Sequence, residues 1–314
     1  MARISVLLPV YNVERYAADA LTSIQTQSFT DLEIVVVDDG STDGTLQVVE
    51  QIACRDPRIR VVLVSQNCGL PAALNLGLTF CQAPFIARMD GDDVALPSRL
   101  EKQLQFLEER PDIALVGCAT LAIDEFGQPI PGLGVSIKPT NQDAIARTAL
   151  LAPPCSHIWL ARREVYEKLS GYRNISVAED FDFLLRAMTT GFRISNIPEA
   201  LMMIRTRVGN ISSRLEQRKA HDYIVDLYRE RLKVGKDSFS REGYERHVIA
   251  GRIEDGAFSL AMRCVQRGLL SRNLFLRYSL LFLSALISPW QARYFVRRLQ
   301  LKLALRKPGF SSQA

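Results

Sequence analysis

This sequence of 314 residues contains few histidines and none of the cysteine spacings that are typical of metal sites. It contains three histidines, His157, His221 and His247, and its six cysteines form no C-x-x-C pair or other metal-binding spacing. A centre built on several histidines or cysteines is therefore disfavoured, and carboxylates would have to hold a hard cation. The N-terminus opens directly into a strand pattern without a signal peptide, so we expect a reduced, cytoplasmic protein.

Acidic residues are missing from the end of the chain. From residue 256 onward there are ten Lys and Arg and no Asp or Glu, which leaves 29 of the 39 bases against all 34 acids in the rest. The two parts therefore face different partners. With 47% hydrophobic residues, the chain has enough apolar material for one large domain with an appendage.

Short apolar runs alternate with helix-like segments in the first third of the chain. This alternation predicts an α/β fold, a mostly parallel sheet covered by helices on both faces. Residues 141–212 predict shorter helices and loops, and residues 213–314 predict helices only. The predicted strands lie at 4–9, 32–39, 59–64, 85–90 and 113–118, and the predicted helices between them at 14–26, 45–54, 70–80 and 98–109.

The stretch VVVDDGSTDGT, from Val35 to Thr45, places Asp38 and Asp39 at the end of a predicted strand. An aspartate there can accept hydrogen bonds from a nucleobase or a ribose. It can equally serve only as a turn or capping residue. Carboxyl ends of strands are where open α/β sheets bind ligands, which favours the first interpretation.

The stretch ARMDGDDVALP, residues 87–97, crowds Asp90, Asp92 and Asp93 directly behind an apolar run. Carboxylates this close repel each other and raise one another's pKa, so the cluster indicates a positive partner. A D-x-D sequence offers oxygen ligands for Mg²⁺ or Mn²⁺, which can bridge to a diphosphate.

Further along, Glu179 and Asp180 open a predicted amphipathic helix. They are either stabilised there by the helix dipole or poised as a general base.

Six motifs in this order resemble the family 2 glycosyltransferases, which have the GT-A fold. The resemblance extends over residues 3–212, and it implies an inverting transfer of a sugar from a nucleotide-diphosphate donor. The motifs are SVLLPVYN at 5–12, IVVVDDGSTDGT at 34–45, NCGLPAALNLG at 67–77, FIARMDGDDVALPSRLEKQLQFL at 85–107, GYR at 171–173 and AEDFDFLLR at 178–186.

The resemblance assigns donor-binding roles to residues at the strand ends. It implies that Asp39, with Asp38 beside it, contacts the base, and that Asp90 lies near the ribose. Many relatives close this half with an R-x-H motif, where this chain has Arg205-Thr206-Arg207. Arg207 can bind the diphosphate but cannot ligate a metal. The residues implied to line the nucleotide pocket are Pro9, Tyr11 and Glu14.

Catalytic and metal-binding roles follow from the same resemblance. Asp92 corresponds to the metal ligand, supported by Asp93, and the metal would be Mn²⁺ or Mg²⁺. Asp180 corresponds to the catalytic base, with Glu179 next to it. His157 falls where relatives often place a histidine near the acceptor cleft, although a lone histidine is more often structural. The absence of a Q-x-x-R-W motif indicates a non-processive enzyme.

The basic end of the chain predicts contact with a membrane surface. The apolar run at 273–290 is shorter than the roughly 20 residues that a spanning helix needs. Beyond it, Arg293, Arg297 and Arg298 recur at helical spacing beside apolar residues, which is typical of a helix bound to anionic lipid. Packing on the chain's own domain and a dimer contact are alternatives. Nucleic acid is a poorer candidate because the body is acidic.

Taken together, these features predict a GT-A domain at 1–212 and a helical, membrane-associating region at 213–314. The enzyme would transfer a hexosyl or related group from a UDP-linked donor to a glycan or polyprenyl-linked acceptor, at the inner face of the membrane. Assembly of a bacterial surface polysaccharide is the expected setting. A catalytically degenerate sugar-nucleotide-binding or scaffold protein is the alternative. A nucleotidyltransferase is disfavoured because no glycine-rich, basic loop follows the first strand.

Overall fold

A computed structural model describes residues 2–206, 215–249, 251–271 and 273–305. Contacts between Cα atoms divide the chain into two compact units, residues 1–146 with 153–208, and residues 147–152 with 209–314. The boundary expected between residues 212 and 213 falls at 207–214, outside the described residues, and stays a prediction.

The first half of the first unit follows the predicted alternation of strands and helices. All five predicted strands and all four predicted helices are present, each within about two residues of the expected ends except for a longer β6. The elements are β1 Ile4–Val10, α1 Glu14–Gln25, β2 Leu32–Asp38, α2 Thr45–Ala53, β3 Ile59–Leu63, α3 Leu70–Leu78, β4 Phe85–Arg88, β5 Val94–Ala95, α4 Arg99–Glu109 and β6 Ile113–Ile123.

The second half of the first unit differs from the prediction. The expectation of only short helices and loops is wrong, because two further strands complete the sheet. The longer one, β8, was obscured by Pro198 and Glu199, where it loses register with β6 between Ile197 and Ala200. The elements are α5 Gln142–Thr148, β7 Leu160–Arg162, α6 Arg163–Leu169, α7 Glu179–Thr189 and β8 Arg193–Arg205.

The eight strands form one sheet in the order β3-β2-β1-β4-β7-β6-β8-β5. Strands β1 to β4 are parallel to one another, and β6 is parallel to β8. Two short strands run antiparallel, β7 between β4 and β6, and β5 at the edge. This mostly parallel sheet with helices around it confirms the predicted fold class.

Both faces of the sheet are covered, which explains why its strands are apolar at nearly every position. All seven residues of β1 are buried. Alternate side chains enter different clusters: Leu8 packs with Leu21 of α1, whereas Leu7 packs with Leu74 of α3 and with Phe183. The strands are held in register, so their carboxyl ends, with the polar residues that follow, lie along one edge.

From residue 215 onward, the described part of the second unit consists of helices and the short loops between them. Among the described helices of the chain, none is both long enough and apolar enough to cross a membrane. Large apolar side chains nevertheless face solvent on the helix Leu274–Ile287, where Phe275 is 82% and Phe282 67% exposed. The helices are α8 Leu215–Val234, α9 Arg241–Val248, α10 Arg252–Leu270, α11 Leu274–Ile287 and α12 Pro289–Leu305.

Candidate active site

The acidic motif lies in the loop that connects β4 to β5, at the carboxyl edge of the sheet. Gly91 is required by the packing of this loop, because a Cβ atom there would lie 2.7 Å from Val10 Cγ1 and 3.2 Å from the Pro9 carbonyl oxygen. The loop therefore rests directly on the end of β1. This contact brings the D-x-D sequence next to the donor-binding residues that were predicted at the same edge.

Asp90, Asp93 and His157 form a compact cluster at this edge. His157 Nε2 lies 3.3 Å from Asp90 Oδ2 and 3.2 Å from Asp93 Oδ2, and one ligand atom from each residue fits within 4.8 Å of the others. Burial acts to lower the pKa of His157, but Asp90 and Asp93 outweigh it and raise the pKa to about 9. At neutral pH the imidazolium of His157 therefore lies between the two carboxylates and offsets part of their negative charge.

The two carboxylates of the cluster differ in their surroundings. Burial acts to raise the pKa of Asp90, but the charges of Arg88 and His157 outweigh it and lower the pKa. Burial raises the pKa of Asp93, and its hydrogen bond with His157 offsets only part of the rise. Asp93 is also fixed by the backbone N–H of Arg205, which donates to its Oδ1 at 2.9 Å. Asp93 is thus held rigidly, while Asp90 is 26% exposed.

Asp92, which the resemblance implies is the metal ligand, lies outside this three-residue cluster. Its side chain is half-buried, and its carbonyl oxygen accepts a hydrogen bond from Arg205 Nε at 2.8 Å. Arg205 also donates to the carbonyl oxygens of Asp124 and Glu125. Arg205 therefore holds the acidic loop in place, a role that sequence reasoning did not assign to it.

The buried guanidinium of Arg88 connects the acidic loop with the predicted catalytic helix. Its side chain is 1% exposed, and its Nη2 lies 2.8 Å from Glu179 Oε1 and 3.5 Å from Asp90 Oδ1. The rings of Trp159 and Tyr172 flank it at 5.7 and 5.8 Å. Burial raises the pKa of Glu179, and Arg88 offsets part of that rise. Arg88 thus forms ion pairs on both sides, with Asp90 of the acidic loop and with Glu179 of α7.

Asp180 occupies the first turn of α7, after Ala178 in a left-handed conformation with φ of 68°. It is half-buried, and it lines a cavity of about 470 Å³ together with His157. The predicted catalytic base, Asp180, and the predicted acceptor-side histidine, His157, thus face one cavity. The other lining residues are Thr120, Ala122, Gly132, Leu133, Gly134, Ser136, Lys138, Pro153, Cys155, Ser156 and Ile204.

The predicted base-binding aspartates are both buried at the end of β2. Asp39 accepts hydrogen bonds from the backbone N–H groups of Cys68 at 2.9 Å and Gly69 at 3.0 Å. Asp38 Oδ1 accepts from the backbone N–H of Ser41 at 3.1 Å. Both carboxylates therefore order the loops that surround the predicted nucleotide pocket.

The remaining predicted donor residues lie at the end of β1 and in the turn after it. Pro9 is buried within the strand, and Tyr11 is 45% exposed just beyond it. Glu14 accepts a hydrogen bond from the backbone N–H of Gly44 at 3.1 Å, so it braces the loop before α2. Arg207 lies outside the described residues.

The donor set of the cluster fits a divalent metal ion. Among the described residues, Asp90 Oδ1 is buried and has no hydrogen-bond partner, although Arg88 lies at ion-pair distance. A ligand atom without such a partner is what a metal site requires before it is loaded. Two carboxylates and one imidazole suit a transition metal ion, whereas Mg²⁺ prefers oxygen ligands alone.

Solved structures of other proteins have the same fold. The structure of S. aureus TarS residues 1–349 in complex with UDP-GlcNAc has a TM-score of 0.61 and 20% identity, covering 98% of this chain and 90% of that one. Mannosyltransferase PcManGT from Pyrobaculum calidifontis, in complex with GDP-Man and Mn²⁺, has a TM-score of 0.59 and 20% identity, covering 97% and 86%. At these identities the similarity shows the fold alone.

Sequence comparisons identify the family. Putative glycosyltransferase EpsE of Bacillus subtilis (strain 168) is 35% identical over 235 residues, 71% of this chain and 78% of the relative. Amylovoran biosynthesis glycosyltransferase AmsE of Erwinia amylovora is 31% identical over 243 residues, 76% and 88% of the two chains. The family model "Glycosyl transferase family 2" matches residues 5–170, more than half of the chain. The chain therefore belongs to the family 2 glycosyltransferases.

Proposed function

We propose that the protein transfers a sugar, with inversion, from a nucleotide-diphosphate donor to a hydroxyl group of a glycan or lipid-linked acceptor. One observation carries this proposal: Asp180 and His157 line the same cavity, and His157 also contacts Asp90 and Asp93. A base for the acceptor and the acids for the donor thus meet at one place. Such proximity of reacting groups is a main source of rate enhancement.

The donor is proposed to be a UDP-linked sugar held at the ends of β1 and β2. Tyr11 and Pro9 would line the base pocket, with Asp38 and Asp39 ordering its loops. Support comes from the bound nucleotides in the two solved structures, UDP-GlcNAc and GDP-Man. Arg207 is proposed to neutralise the diphosphate, as the resemblance implies.

A divalent ion, preferentially Mn²⁺, is proposed as the cofactor. Two sets of ligands compete: Asp92, which the resemblance implies, and the cluster of Asp90, Asp93 and His157, which the geometry favours. When bound, the ion would stabilise negative charge on the departing nucleotide. The mannosyltransferase structure that contains Mn²⁺ supports this choice.

The proton of the acceptor hydroxyl is proposed to move to Asp180. The acceptor oxygen then attacks the anomeric carbon from the face opposite the nucleotide, which inverts that centre. Glu179 next to it is held by Arg88 at 2.8 Å, so α7 begins at a fixed position relative to the acidic loop. This pairing would keep Asp180 aimed into the cavity.

The second unit is proposed to bind the enzyme to the inner face of the cell membrane. The exposed apolar side chains of α11 and the absence of any acid after residue 255 support this proposal. A lipid-linked acceptor would be reached there. The relative named for amylovoran biosynthesis supports a role in assembling a bacterial surface polysaccharide.

A thermal-shift experiment tests the proposed function. UDP, GDP, dTDP and CDP are each added with and without Mn²⁺ to the wild type and to Asp180→Asn. We expect one nucleotide to stabilise both proteins in a metal-dependent manner, while turnover of its sugar falls by about 10²–10⁴-fold in the variant. Equal turnover in both proteins would favour the alternative of a degenerate or scaffold protein over the proposed enzyme.

A further inference from the structure

The pairing of α8 with α12 in the second unit collects more positive charge than its neighbours neutralise. On α8, Arg218 and Asp222 are four residues apart and therefore lie on one face. On α12, Arg293 and Arg297 have the same spacing, and Arg298 follows directly. Of the four arginines on these two helices, only Arg293 and Arg297 contact the carboxylate of Asp222.

The contacts show how Asp222 is divided among these cations. Arg297 Nη1 lies 3.1 Å from Asp222 Oδ1, and Arg293 Nη1 lies 3.7 Å from Asp222 Oδ2. Arg218 receives no carboxylate in the described part of the chain, and its guanidinium lies over the ring of Tyr294 at 3.5 Å from the centroid. The nearby ion pair of Lys219 with Glu254 is neutral by itself and adds no acid to the cluster.

Two of the cations are partly removed from water. Arg297 has 16% of its side chain exposed, and Arg218 Nε is buried without a hydrogen-bond partner among the described residues. Burial lowers the pKa of Arg218, and the charge of Arg298 lowers it further. Burial likewise acts first in lowering the pKa of Arg297, with Arg218 adding to it. Buried positive charges that repel each other are unfavourable unless an anion joins them.

We infer that this cluster binds a phosphate group, as a mono- or diester, between α8 and α12. Arg218, Arg297 and Arg293 would donate to its oxygens, because the planar guanidinium matches the geometry of phosphate and forms paired charge-assisted hydrogen bonds. Tyr294 holds the guanidinium of Arg218 in place by stacking. The inference does not depend on the transferase activity, since all its residues lie in the second unit.

Two sources of phosphate share this chemistry, the headgroup of an anionic phospholipid and a soluble phosphate. The first arm of the experiment measures the melting temperature of the full chain in inorganic phosphate and in chloride of equal ionic strength. The second arm measures flotation with phosphatidylglycerol-containing vesicles and with phosphatidylcholine vesicles. Both arms compare the wild type with Arg297→Gln and Arg293→Gln. The matched control is Arg241→Gln, which removes an exposed arginine of α9 that pairs with Glu245.

We expect phosphate to stabilise the wild type more than chloride does, and each cluster variant to bind phosphate about tenfold more weakly or worse. Arg297→Lys should restore only part of the binding, because lysine lacks the paired donors. Loss of flotation together with loss of phosphate binding supports a lipid headgroup. Unchanged flotation with loss of phosphate binding supports a soluble phosphate.

The inference is overturned if phosphate and chloride act alike on the wild type and the cluster variants float as the control does. Arg293→Gln separates loss of binding from loss of folding. The Arg293 side chain is 65% exposed, so we expect its replacement to leave the packing of α8 and α12 in place. A melting temperature of Arg293→Gln equal to that of the control establishes that its fold is intact.

Discussion

Replacing Arg88 with methionine tests whether this guanidinium supports the acidic edge of the sheet. Arg88 is 1% and Glu179 7% exposed, so the ion pair at 2.8 Å is buried and little screened by solvent. Removing the arginine leaves the buried carboxyl group of Glu179 without its charged partner. Breaking a buried pair in this way costs about 3–5 kcal/mol of unfolding free energy, well above the value of a surface pair.

The partner substitution gives the size of the interaction. Glu179→Gln keeps an acceptor of similar shape and leaves Arg88 with Asp90, so we expect a smaller loss of about 1–3 kcal/mol. The double variant, Arg88→Met with Glu179→Gln, has no carboxylate at position 179 that would be buried without a partner. The losses of unfolding free energy in the two single variants should therefore sum to more than the loss in the double variant. The difference, the coupling energy, should be about 1.5–3 kcal/mol.

The pH dependence of Arg88→Met has a definite sign. Burial raises the pKa of Glu179 already in the wild type, and Arg88 opposes that rise. Without Arg88, the pKa of Glu179 in the folded state rises further above its unfolded value. Between these two pKa values, the native state therefore binds more protons than the unfolded state does. The variant should therefore regain stability as the pH falls from the raised folded-state pKa towards the unfolded pKa, while the wild type changes less.

Urea unfolding followed by tryptophan fluorescence measures these energies. The chain has two tryptophans, and Trp159 lies beside Arg88 at 5.7 Å. In a Trp290→Phe background, the remaining signal reports on the first unit alone. A loss below about 1 kcal/mol for Arg88→Met, or strictly additive effects, would show that Arg88 and Glu179 do not act as a buried pair.

Three further predictions concern the metal site, the acidic loop and α11. Asp93→Asn should weaken binding of Mn²⁺, measured by calorimetry, at least tenfold more than Asp92→Asn does. A larger effect of Asp92→Asn would instead identify Asp92 as the metal ligand, as the resemblance implies. Gly91→Ala should destabilise the first unit by about 1–3 kcal/mol in urea unfolding, because its Cβ overlaps the end of β1; an unchanged midpoint would refute that packing. Phe282→Ser should reduce flotation with anionic vesicles about tenfold without lowering the melting temperature, whereas Leu232→Ser, 63% exposed on α8, should leave flotation unchanged; equal flotation of both variants would argue against α11 as the membrane contact.

The parallel part of the fold could be predicted because its signals are local. Strands β1 to β4 are short, mostly apolar segments, and polar turns separate them from their helices, so each strand can be recognised within a few residues. Strand β7 has only three residues, and β8 contains Pro198 and Glu199. Both exist because they pair with β6, and that pairing is not visible in a local pattern.

The site could be predicted in part for the same reason. The D-x-D sequence and the Glu179-Asp180 pair are short motifs whose residues stay together, and the resemblance supplied their order. His157 meets Asp93 across 64 positions of sequence, and Arg205 meets it across 112. Such contacts depend on how β7 and β8 close the sheet. The alternative ligand set of Asp90, Asp93 and His157 is therefore visible only in three dimensions.

The most direct test of the central claim follows the anomeric proton by NMR during turnover. Wild type and Asp180→Asn are each supplied with Mn²⁺ and the α-linked UDP-sugar that stabilises the protein, and an acceptor hydroxyl or water receives the sugar. We predict that the first product formed by the wild type has the β configuration, and that Asp180→Asn forms it about 10²–10⁴-fold more slowly while still binding the donor. An α product, or an unchanged rate in the variant, would contradict inversion by a base at Asp180.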